Sequence, residues 1–231
     1  MMIDWNQLAY TLSVWVLPVL IAVTFHEAAH GWAAWRLGDD TAYRLGRVSF
    51  NPLKHIDPFG TVLMPAMLLF ASGGRMMFGF AKPVPVNFSA LRNPRRDMVL
   101  VALAGPGSNL LLAVMAALLV HGLVLLSGDL YRWTGHNLIN AVRINMLLCV
   151  FNMLPIPPLD GGRVAVGLLP APWGEKLAKL ERAGILIVLG GVFILPWIGA
   201  KIGVDLNVFW WLVGAPTEYL MNIIFMLTGH G

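Results

Sequence analysis

His26 and His30 stand four residues apart in the run VLIAVTFHEAAHGWAAWRLG, residues 19 to 38, with Glu27 beside the first of them. On a helix, positions i and i+4 share a face, so the two imidazoles can hold one metal ion. A carboxylate next to the first ligand is placed to act as general base on the water such an ion activates, which is the mechanical content of H-E-x-x-H. The residues before them are apolar enough for lipid, where ionisable side chains are costly and mark function. A buried polar cluster bridging helices is the plainer alternative. Three ionisable groups in a lipid-embedded helix need a strong compensating partner, however, and a divalent cation is one.

Two imidazoles do not complete a catalytic zinc site, which uses three protein ligands and leaves a fourth position open. His121, His136 and His230 fall on the outer side or at a terminus, and His55, in a polar loop, is the one serious rival among the histidines. The better candidate is Asp160, in CVFNMLPIPPLDGGRV. There an apolar helix stops at Leu154, Pro155, Pro157 and Pro158 force an extended backbone, and Gly161 and Gly162 follow the carboxylate. Unwound backbone at membrane depth is tolerated only where it is buried in protein or lines a cavity. One reading is therefore a rigid turn presenting Asp160 to a neighbouring helix; the other is an ordinary helix exit with a solvated Asp160. The lack of another good ligand favours the first. Of two asparagines, Asn109 sits among Gly105, Gly107 and Ser108 and reads as close helix packing with a hydrogen bond to a neighbour. Asn152, just before the prolines, reads as an amide that orients a substrate backbone or stabilises an oxyanion.

The elements that position these groups are membrane helices. The 231 residues are 58% hydrophobic and 12% charged, with a mean hydropathy of +0.71, where a soluble domain carries about 25% charged residues. No polar stretch is long enough for a separate soluble core. The net charge of +4 sets topology rather than nucleic-acid binding, and the single Cys149 excludes an intrachain disulfide. No basic region precedes the first apolar run, so the first helix reads as a retained span rather than a cleaved signal. Spans of about 20 apolar residues fall at 8–35, 98–126, 138–154 and 206–227, with a fifth around 183–198. The segment 59–80 is apolar but interrupted by Pro65, Gly73, Gly74 and Arg75. If it is re-entrant, the basic loop residues gather on one side and only Arg132, Arg143 and Lys201 remain on the other, as the positive-inside rule asks. The same topology lets the helices bearing His26 and Asp160 run in one direction, so that the ligands share a depth. The fold expected is thus an all-α polytopic membrane protein of five transmembrane helices plus a re-entrant segment, six spans being the alternative. The strand-like alternation of residues 47–50 suggests a small β-hairpin or loop beside the site, whose edge could hold an unwound peptide. Residues 172–184 read as an amphipathic surface helix.

At these residues the chain resembles the site-2 protease family of intramembrane zinc metalloproteases. The resemblance rests on His26-Glu27-Ala28-Ala29-His30, on Gly105-Pro106 followed by Asn109, and on Asn152 to Gly162, which is similar to an N-x-x-P-x-x-x-x-D-G block. It implies one zinc per chain on His26, His30 and Asp160, Glu27 as catalytic base, Asn152 against the substrate, and cleavage of transmembrane proteins near the cytoplasmic side. It implies one integral membrane peptidase domain over 1–231, with a core at 8–165 and further helices at 166–231, in a bacterial inner membrane. Many members carry a PDZ domain for which this chain has no room, so the expectation is a short form. Two other classes fit less well. A metal transporter needs polar side chains along a whole pathway, whereas here they cluster at one depth and the outer halves of the helices are nearly all apolar. A membrane scaffold with structural zinc has no use for a base beside its ligand.

Overall fold

A computed structural model describes residues 4–71, 79 and 81–230. Helix α1 spans Trp5–Leu37, capped by the Asp4 side chain, which accepts from the backbone N–H of Asn6 and Gln7, and closed by Gly38 at a φ of 119°. At 33 residues it is about 50 Å long, more than a bilayer's hydrocarbon thickness of about 30 Å. After the short α2 (Thr41–Arg44), a helical segment runs from Pro58 through α3 (Met64–Ala71). Helix α4 (Pro94–Leu119) continues as a tighter turn to Leu125, and α5 (Gly128–Asn152) ends just before the proline-rich turn. Four further units follow: α6 (Asp160–Leu168), α7 (Ala171–Ala178), the continuous α8 (Glu181–Leu189) and α9 (Leu195–Ile202), and α10 (Ala215–Leu227).

Trp5–Leu37, Pro94–Leu125 and Glu181–Ile202 are long and apolar enough to cross a membrane. Helix α5 is more polar because Asn137, Asn140 and Asn145 lie on it, and all three are buried. It packs against both α1 and α4, which also pack on each other. One of its asparagines repairs the backbone where no water can. Pro18 lacks the N–H that would pair with Val14 O, and Asn140 Nδ2 donates to that carbonyl instead, at 3.0 Å. The half of the bundle away from the histidines is therefore not purely apolar, contrary to the expectation for the outer halves of the helices. Arg143 also departs from it, lying well inside α5 rather than in an outer loop.

The re-entrant expectation for 59–80 falls partly on Gly73, Gly74 and Arg75, which lie outside the described residues. Its flanks are tied together: Lys82 N–H donates to His55 O at 2.9 Å, so the chain returns to where it left. Among the described residues no strand forms, and residues 41–50 are α2 and an irregular loop. The loop alternative holds and the strand-like alternation does not. Pairing with the extended segment 81–87 is blocked because Pro83 and Pro85 supply no backbone donors. Arg47 Nη2 takes the Lys82 carbonyl at 2.7 Å in place of a ladder partner.

Candidate active site

Tyr10, hydrogen-bonded to His136 at 2.7 Å, and Trp133, donating to Ser13 Oγ at 3.0 Å, form an aromatic band at the end of the bundle where α1 begins. From Tyr10 to His26 is about 24 Å along α1, which sets the H-E-x-x-H turn near the opposite end of the hydrocarbon. Both histidines are buried there, as is Asp160.

Asp160 follows the end of α5, which runs parallel to α1, and lies in the first turn of α6, where the helix dipole favours a carboxylate. The glycines after it allow the turn to fold back. A Cβ on Gly161 would lie 2.2 Å from Met153 O, and one on Gly162 2.2 Å from Pro157 N. The far end of α6 is tied to the start of α4 by Arg95, whose Nε donates to Gly167 O at 3.0 Å and whose Nη2 donates to Leu169 O. Thus α1, α4 and α6 each fix one part of a single cluster.

His26 Nε2 and His30 Nε2 are 3.1 Å apart, and Asp160 Oδ2 lies 3.3 and 3.2 Å from them. The outward ring nitrogens decide what these atoms can be. His30 Nδ1 meets Val101 O at 2.8 Å and His26 Nδ1 meets Asn109 Oδ1 at 2.7 Å. The Asn109 amide is oriented by Ala22 O, which can only accept from Nδ2, at 3.2 Å, and by Asn145 Oδ1 at 2.8 Å. Both Nδ1 atoms therefore carry a proton, and both Nε2 atoms point toward each other and toward a buried carboxylate oxygen that has no other donor. With both imidazoles neutral, three lone pairs converge in an apolar interior and repel unless a cation sits among them. Two imidazole nitrogens and one carboxylate oxygen suit zinc.

Glu27 is held apart from this cluster. Its Oε2 accepts from Val84 N–H at 2.7 Å, and Val84 itself is buried against Gly31. The segment 81–87 is pinned further along, where Asn87 N–H donates to Asp39 Oδ2 at 2.6 Å. His55 is not part of the cluster, as its Nε2 donates to Ser49 O at 2.8 Å. His121 and His230 stack on each other at the outer end of α4, with ring centroids 4.0 Å apart. Asn152 ends α5 with its Nδ2 on Leu148 O at 3.0 Å, and no described contact joins it to the histidines.

Asn109 emerges as the residue that orients His26, a role its small neighbours concealed. The signal available was its position in a helix that also carries Pro106, since a proline in a buried helix marks backbone under local demand. Replacing Asn109 with Leu should weaken zinc binding by about 10–100-fold, the usual cost of losing a partner behind a histidine ligand. Competition with a chromophoric chelator reads this directly, and an unchanged affinity would show that the contact does not orient His26.

Residues 125–196 match the family model described as Peptidase family M50. A Bacillus subtilis protein named as a zinc metalloprotease, YwhC, is 37% identical over 188 residues, which is 78% of this chain and 80% of that protein. A Mycobacterium tuberculosis protein, Rip2, also named as a zinc metalloprotease, is 31% identical over 212 residues, 90% of this chain and 76% of its own length. No solved structure matches. With that much of its length shared with zinc metalloproteases and the family's own match spanning the Asp160 turn, the chain belongs to peptidase family M50, the site-2 protease family of membrane metalloproteases.

Proposed function

We propose that the protein hydrolyses peptide bonds of transmembrane proteins near the cytoplasmic side of a bacterial inner membrane. One zinc per chain would be held by His26, His30 and Asp160, with Glu27 as general base. The observation that carries this reading is the convergence of three bare ligand atoms beside a carboxylate, at the far end of an apolar helix. Bound there, zinc supplies Lewis acidity, polarising a carbonyl and lowering the pKa of water to about 7.

The protein's own residues do the rest. Val84 N–H fixes Glu27 through Oε2 and leaves Oε1 to accept a proton from the attacking water. Glu27 then passes that proton to the leaving amine, so one carboxylate serves as base and acid. Asn109 and the Val101 carbonyl keep each Nδ1 protonated, so the ligand nitrogens stay available. Asn152, immediately before the turn that carries Asp160, is assigned to the substrate backbone. A transmembrane substrate has to unwind locally before cleavage, because a helix shields its carbonyls.

Purified protein incubated with single-span reporter proteins tests the reading, with cleavage positions determined by mass spectrometry. Cuts should fall inside the hydrophobic segment toward its cytoplasmic end, stop on chelation and resume when zinc is restored. Cleavage confined to soluble loops, or insensitive to chelation, would overturn it.

A further inference from the structure

Helix α10 runs antiparallel to α5. At one end the Phe151 and Phe209 rings are 6.4 Å apart, and midway Val142 and Met146 pack with Met221 and Ile224. That register sets Arg143 level with the turn from Glu218 to Asn222. All three are exposed on the outer surface of the bundle, while Val142, Met221 and Ile224 beside them are buried. From Trp133, in the aromatic band, to Arg143 is about 15 Å along α5, half of the hydrocarbon thickness. A guanidinium and a carboxylate therefore face outward at mid-bilayer. Among the described residues neither makes an ion pair or a side-chain hydrogen bond, even with the other.

Ionisable groups at that depth are strongly unfavourable in contact with lipid tails and are found paired or facing protein. This face carries both signs at one depth, which makes it complementary to itself. We propose that the α5–α10 face is the contact between two copies of this chain, with Arg143 of each pairing with Glu218 of the partner subunit. Two copies inserted in the same direction are related by a twofold axis along the membrane normal. Such an axis brings equal depths together and makes the two ion pairs equivalent. Asn222, four residues after Glu218 on the same side of α10, adds an amide donor at the seam. Ala215, exposed three residues before Glu218, lets the helices approach closely. A partner of different chemistry would need only one of the two charges answered; a second copy answers both.

The test uses the full chain in lipid vesicles, with energy transfer between donor- and acceptor-labelled populations as the readout of pairing. Wild type should associate. Arg143→Glu and Glu218→Arg alone should each weaken association by about tenfold or more, because like charges then meet at both contacts. Mixing the two variants should restore it, since every contact across the mixed interface again joins a carboxylate to a guanidinium. An ion pair formed within one chain cannot be rescued by mixing, so failure of the mixture to associate overturns the proposal, as does a wild type that never associates. Should the charge variants not fold, Arg143→Cys mixed with Glu218→Cys, both in a Cys149→Ser background, gives a second reading. Oxidation should cross-link the mixture to a dimer in membranes, whereas Leu111→Cys, exposed on α4, mixed with Glu218→Cys should stay monomeric; no cross-link between 143 and 218 equally overturns the proposal.

Discussion

Glu27→Gln will lose peptide hydrolysis by a factor of about 10²–10⁴ while still binding about one zinc per chain. The two halves of that outcome come from different parts of the site. The proposed ligand atoms belong to His26, His30 and Asp160, and the second partners of the two histidines are Asn109 and Val101 O; none of these contacts includes Glu27. A glutamine keeps the shape of the side chain and can still accept from Val84 N–H through its amide oxygen, so the segment 81–87 stays where it is. What disappears is a group able to take a proton from water at neutral pH. Zinc content and reporter cleavage measured on the same preparation separate the cases. A variant that keeps both zinc and activity would remove Glu27 from the mechanism. One that loses zinc would make it part of the metal's support instead.

The cluster of His26, His30 and Asp160 was readable because each member announces itself in one dimension. The spacing of His26 and His30 needs only a helix, and the prolines before Asp160 with the glycines after it state that a carboxylate is being presented on a rigid turn. The groups that orient the ligands were not readable. Val101 contributes a backbone carbonyl, which leaves no trace in residue type, and Asn109 looks the same whether it bonds any neighbouring helix or His26 in particular. The loop of residues 41–50 misled for a related reason. Alternation at 47–50 predicts a strand only if a partner has donors to offer, and the partner's prolines lie more than thirty residues away, at 83 and 85. Arg143 and Glu218 were hidden by averaging, since each is one charge inside an otherwise apolar run, and only the register of α5 against α10 sets them at one depth.

Gly105→Ala is expected to weaken zinc binding by more than about 100-fold, beyond the usual effect of losing an outer partner. In sequence, Gly105 and Gly107 look alike, two glycines around a proline in an apolar helix. Their surroundings differ completely. A Cβ at 105 would sit 2.3 Å from His30 Nε2 and 2.6 Å from His26 Cε1, whereas one at 107 meets nothing within 4 Å. The methyl group would thus press on the nitrogen that offers its lone pair, and the rings would have to move aside by about an ångström when ligand distances tolerate only about 0.2 Å. Helix propensity pushes the other way, since alanine favours a helix interior over glycine by roughly 1 kcal/mol. Metal binding and intrinsic helix stability should therefore part company at position 105, while Gly107→Ala keeps its zinc. Chelator competition, together with thermal unfolding of the metal-free protein, resolves the two contributions. A Gly105→Ala protein that binds zinc as tightly as wild type would mean that the histidines do not hold the metal from the positions described here, and that α4 is not the wall of the site.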